Sequence, residues 1–270
     1  MTVIRSLAAA ATLAAAFLVV TPASAVTETF ANFTGVGGSN IYWKQSASKT
    51  GGQLFTIATP GANSPGSVAT RFRFESPRPG NRMDVLAALG QLSSSFTLNI
   101  TAASGNPSAA FGGYVIQPLT GGTFSFIYTG ATPLVVDHTT YFTGANLLSA
   151  TFISGGGIAG SLRGSSGSVN ASTTAGDTIT YTSDFLNFNS TVDQDFALSL
   201  SSITPPLGRT AGQSLNTFFA TATGSFSTDP IPLPTAVIPE PATWGLFVVG
   251  FGLVGLQGRR RSRRSTSVAA

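Results

Sequence analysis

The feature that most restricts how this chain can fold is a two-residue alternation of apolar and polar side chains. It recurs in short runs broken by glycine, serine, asparagine and proline. In SFTLNIT, Phe96, Leu98 and Ile100 point one way while Thr97, Asn99 and Thr101 point the other. Successive side chains of an extended strand leave on opposite faces, so a strand with one buried face carries this period. FALSLSS repeats it with Phe196, Leu198 and Leu200, and TRFRF sets Phe72 and Phe74 against Arg71 and Arg73. TFSFIYTG, TITYT and TFFATATGSFS add threonine and aromatic residues, which suit a pleated surface. Only 9% of the 270 residues are charged, too few to clothe exposed helices, which lean on Glu, Lys and Arg. The reading is all-β: an antiparallel β-sandwich or jelly roll of about nine to twelve strands. One short helix is predicted over NRMDVLAALGQL, Asn81 to Leu92, weakened near its end by Gly90. The Gly-Gly pairs at 37–38, 51–52, 112–113 and 121–122 are read as turns. Ser154 to Gly176 is low in complexity and reads as a loop in preference to a glycine-rich strand pair.

The two ends have a different character. At the N-terminus, Arg5 precedes an apolar stretch from Leu7 to Val20, then Pro22 and the small-x-small site Ala23-Ser24-Ala25. A short apolar helix with these flanks reads as a signal peptide (1–25) cut after Ala25 by signal peptidase, following passage through the Sec translocon. The body is assigned to 26–228, followed by a proline-rich stalk (229–238), a C-terminal signal (239–264) and a tail (265–270). Four prolines before Glu240, at 230, 232, 234 and 239, make the stalk an extended spacer. Ala242 to Gly258 carries no charge. As a helix it would be about 25 Å long, at the lower edge of what crosses a bilayer. Trp244 sits near one end, and Arg259, Arg260 and Arg261 follow the other. Interfacial tryptophan and cytoplasmic arginine place the body outside and the arginines inside. The net charge of +4 belongs to these ends. Between Val26 and Pro241 eight basic residues face ten acidic ones, a net charge of −2. Without a basic face on the body, a nucleic-acid partner is not expected.

Pro239-Glu240-Pro241, Trp244, the glycine-spaced apolar run and Arg259-Arg260-Arg261 together resemble the PEP-CTERM sorting signal, in the wording common among alphaproteobacterial proteins. The resemblance covers about 25 residues. It implies that exosortase, a membrane protease-transpeptidase, recognises Pro239, Glu240 and Pro241. The arginines would act as the stop-transfer cluster during transient anchoring in the inner membrane. The body would then pass to the cell surface or the exopolysaccharide matrix, in a structural, non-enzymatic role.

Residues suited to chemistry are sparse. There is no cysteine, which excludes disulfides and thiolate nucleophiles. His138 is the one histidine, and its neighbour Asp137 is too close in sequence to orient it in a Ser-His-Asp triad. No serine has glycine at both −2 and +2. The chain is therefore read as not an enzyme and as needing no cofactor. Two weaker sites are kept. Asp193 and Asp195 share one face of a strand and offer oxygens for Ca²⁺. Tyr42 and Trp43 in SNIYWKQS could stack on sugar rings, although Trp43 in the core is the favoured reading. The alternatives to a structural role are a carbohydrate-binding or adhesive module, Ca²⁺-dependent or not, and a secreted hydrolase of unrecognised type.

Overall fold

The computed structural model describes residues 27–235, apart from 60, 78–79, 81–82, 106–107 and 154. The predicted signal helix and transmembrane helix lie outside these residues. In chain order the strands are β1 (Glu28–Gly35), β2 (Ile41–Gln45), β3 (Gly52–Thr56), β4 (Val68–Phe74), β5 (Leu92–Ala102), β6 (Ala109–Phe111), β7 (Tyr114–Pro118), β8 (Gly121–Tyr128) and β9 (Leu134–Val136). They continue with β10 (Thr139–Tyr141), β11 (Asn146–Ile153), β12 (Gly157–Ser161), β13 (Gly167–Ser172), β14 (Thr178–Thr182), β15 (Leu186–Asn187), β16 (Asp193–Thr204), β17 (Phe218–Asp229) and β18 (Leu233–Pro234). The helix α1 (Asp84–Ala87) and a 3₁₀ turn at Thr173–Ala175 complete the elements.

All the strand pairs are antiparallel, and fourteen strands belong to one hydrogen-bonded network. Its organisation follows from two long strands. β17 pairs with β2 through Phe218–Ala220 and with β1 through Thr223–Thr228. β5 pairs with β4 through Leu92–Phe96 and with β3 through Asn99–Ala102. Since β1 also pairs with β4 and β2 with β3, six strands close into a circuit. At ~3.4 Å per residue a strand of this length reaches nearly 40 Å, enough for two partners in succession. From β5 the sheet continues through β8, β11 and β14; from β17 it continues through β16, β13, β12, β7 and β6.

The alternating residues supply the core as expected. Phe72, Phe74, Phe96, Leu98, Ile100, Phe196, Leu198 and Leu200 are all buried. Phe33, Phe96 and Phe126 pack at centroid distances of 4.4–4.8 Å, and Phe124 lies 5.1 Å from Phe226. Each such ring contributes roughly 1.5–3 kcal/mol by leaving water. A chain without cysteine is held by this cluster and by its ladders.

Four expectations are corrected. The described residues form eighteen strands, against the nine to twelve expected. The helix is one turn, not the span Asn81 to Leu92. Leu92 opens β5, and Gly90 takes φ +66°, which ends helical geometry. Ser154 to Gly176 is not mainly a loop, because β12 and β13 form a hairpin paired to β7 and β16. Its glycines fit where side chains would not: a Cβ on Gly160 would strike Leu207 and the Ser166 carbonyl. Gly121-Gly122 is not a turn but the start of β8, where a Cβ on Gly122 would meet the backbone of Asn99 and Ile100.

Candidate functional site

The two aromatics singled out in β2 leave on opposite faces, and the structure separates their roles. Trp43 is completely buried, its Nε1–H donates to the Leu215 carbonyl at 2.9 Å, and its ring lies nearly parallel to Phe218. Gly52, its neighbour on β3, leaves room for the indole. Trp43 is thus a core residue with a satisfied polar atom and cannot meet a sugar. Tyr42 is half-buried. It stacks on Phe219 at 4.6 Å and meets Phe55 edge-on at 5.3 Å, so one of its ring faces is committed to the protein.

Asp193 and Asp195 do share a face of β16, opposite the face carrying Phe196. Asp193 stands across the ladder from Asp229, and Asp195 across from Ser227. Among the described residues no three of His, Cys, Asp and Glu gather so as to hold a metal ion. Beside this strand, the Tyr181 hydroxyl donates to the Asp195 carbonyl oxygen at 2.6 Å. Burial pushes the Tyr181 phenol well above its usual 10.0, with the Asp195 charge adding to the effect. Tyr141 is raised too, by burial first and then by Asp184 and Asp137. His138 is exposed, and with Asp137 it forms the two-residue turn between β9 and β10, both at positive φ (67° and 45°). That backbone demand accounts for the pair as turn residues.

The segment read as a free proline-rich spacer is attached to the body. β17 runs to Asp229, Ile231 packs against the core, and Leu233–Pro234 pair with β15. Beyond them, the Thr235 amide donates to the Phe185 carbonyl at 2.8 Å and its hydroxyl to the Asp184 carbonyl at 3.0 Å. The expected sorting residues Pro239, Glu240, Pro241, Trp244, Arg259, Arg260 and Arg261 lie outside the described residues, as do Ala23 and Ala25. Among the described residues no helix is long and apolar enough to cross a membrane.

What the alternation reading missed is where aromatic faces remain open. Phe111 and Tyr114 flank the Gly112-Gly113 turn between β6 and β7 and are 88% and 61% exposed. The Gly-Gly turn was legible; that both flanking rings would face solvent was not, because β6 is a sheet edge.

No curated protein and no solved structure compared with the chain matches it. A family model does match, over residues 237–261, and its description is the PEP-CTERM protein-sorting motif. The match begins two residues beyond Thr235. The chain therefore carries a PEP-CTERM protein-sorting motif at its C-terminal end, which marks it as an exported protein sorted at the membrane with exosortase as its processing partner.

Proposed function

We propose that the protein is a non-enzymatic structural component of the cell surface or exopolysaccharide matrix, delivered there by two cuts. Signal peptidase removes residues 1–25 after Sec export. The apolar run 242–258 then holds the chain in the inner membrane, body outside, until exosortase cuts at or near Pro239-Glu240-Pro241. The single observation that carries this reading is the motif at 237–261, with its arginine cluster on the far side of an uncharged run. Two features support a structural role. The one histidine serves a hairpin turn, and thirteen buried phenylalanines furnish the core of a chain without cysteine. Docking of the chain through Thr235 leaves a short connection between body and motif, so the cut separates the body from the membrane without loosening its last strand.

Intact mass and fractionation of the full chain test this, in a host with exosortase and in its deletion mutant. The expected product begins near Val26, ends near the Pro-Glu-Pro and leaves the membrane fraction only when exosortase is present. E240A should accumulate in the membrane with its tail. A final product that keeps residues 242–264 in the exosortase-bearing host overturns the reading.

A further inference from the structure

We propose that the outer face of β7, β12, β13 and β16 is a binding site for an uncharged polysaccharide. This rests on the delivery of the body to a polysaccharide-bearing surface and names the contact made there. The site is a groove of about 480 Å³ whose lining includes Tyr114, Ala159, Ser161, Ser168, Ser199 and Ser201. Ladder register explains its form. Tyr114 pairs with Ser161, Ile116 with Ala159, Ala159 with Ser168, and Ser168 with Ser199. Directly opposed residues share a face. The aromatic and aliphatic side chains of the edge hairpin therefore stand beside a floor of small hydroxylated residues.

The wall is apolar and open. Phe111 lies opposite Tyr114 in the hairpin, and Ile116, on the same face, is 48% exposed. Such a cluster on a sheet edge is uncommon unless something covers it. The floor is polar but uncharged. It continues past Ser199 to Thr223 and Thr34, one residue per strand, and ends at the exposed Arg71 of β4. Adjacent strands lie ~4.8 Å apart, comparable with the advance of one pyranose along an extended glycan. A pyranose has an apolar C–H face that suits an aromatic ring and a rim of hydroxyls that suits serine and threonine. No charged side chain lines the groove, and none occurs in the chain from Gly105 through Val136. An uncharged site matches an uncharged partner and has nothing to offset the desolvation of a polyanion. A second groove, of about 500 Å³ over Thr97, Thr123, Ser149 and Thr180, has the hydroxyl floor without the aromatic wall.

The test uses the full chain, made without exosortase and purified in a sugar-free detergent. It is run by affinity electrophoresis through gels containing dextran, laminarin, mannan or hydroxyethylcellulose, with alginate as the charged control. At least one neutral polymer should retard the chain, with no sensitivity to added salt. Y114A and F111A alter exposed side chains, so far-UV circular dichroism should be unchanged. Each should weaken retardation about tenfold, equivalent to about 1.4 kcal/mol. Ser199→Tyr, which fills the floor, should abolish retardation, whereas Val135→Ala, on the separate β9–β10 hairpin, should leave it intact. Three results would overturn the proposal: no retardation by any neutral polymer, equal retardation of Y114A and F111A, or retardation by alginate alone that salt removes. A concentration-dependent dimer lost in F111A would also overturn it, assigning the edge to a second copy of the chain. The binding assay involves no processing, so it can fail while the sorting reading stands, and the reverse.

Discussion

Replacing Trp43 with alanine is the sharpest test of how this body is held together. The indole is fully buried, shares its face with Phe218, and donates one hydrogen bond to the Leu215 carbonyl across 172 residues of chain. Truncating a buried large aromatic costs about 3–5 kcal/mol through lost transfer energy and the cavity left behind. The stranded Leu215 carbonyl adds about 1–3 kcal/mol unless water reaches it. A loss of about 4 kcal/mol or more is a large fraction of the roughly 5–15 kcal/mol that stabilises a typical domain. For a body of this size it lowers Tm by at least about 10 °C. Trp43→Phe keeps most of the apolar volume but not the donor, so it should lie between wild type and alanine. The assay is urea unfolding followed by far-UV circular dichroism, which reports the sheet. A loss below about 1 kcal/mol for Trp43→Ala would refute the reasoning, because the ring would then be no part of the core.

Two further outcomes follow from the polar residues. Tyr181 is held neutral in the folded body, whereas in the unfolded chain it ionises near 10.0. Its contribution to stability is complete below that value and falls as pH rises above it, by at most about 1.4 kcal/mol per pH unit. Tyr181→Phe should cost about 1 kcal/mol at neutral pH, for the lost bond to Asp195. It should also flatten the fall of Tm above pH 10 to the remainder due to Tyr141; an equally steep fall in the variant would count against this. Asp193 and Asp229 face each other across the ladder, and like charges in that position destabilise by about 0.2–1 kcal/mol. Asp193→Asn should therefore raise Tm slightly, and Ca²⁺ should leave wild type and variant alike. A Ca²⁺-dependent rise confined to wild type would instead show a cation between these carboxylates.

Several strands of the body were readable where one face is buried, because a side-chain period of two leaves a direct mark on the sequence. Phe96-Leu98-Ile100 and Phe196-Leu198-Leu200 fall on the core as their spacing demands. The hairpin β12–β13 was not readable in the same way. Its glycines and serines carry no periodic apolar signal, and its strands exist because β7 and β16 lie ready to pair with them. The same reason hid the docking of Leu233–Pro234, whose partners in β15 lie 46 and 48 residues earlier in the chain.

That the chain is exported and sorted at the membrane could be read from local sequence alone. A sorting motif must be recognised as a short linear segment, so proline, glutamate, an apolar run and arginines within 25 residues suffice. Which aromatics face the solvent needed the tertiary structure. Tyr42-Trp43 and the Phe111/Tyr114 pair look equally available as text. Burial is set by what stands on the neighbouring strand. β2 lies inside the closed circuit, between β3 and β17, while β6 ends the sheet and has a neighbour on one side only.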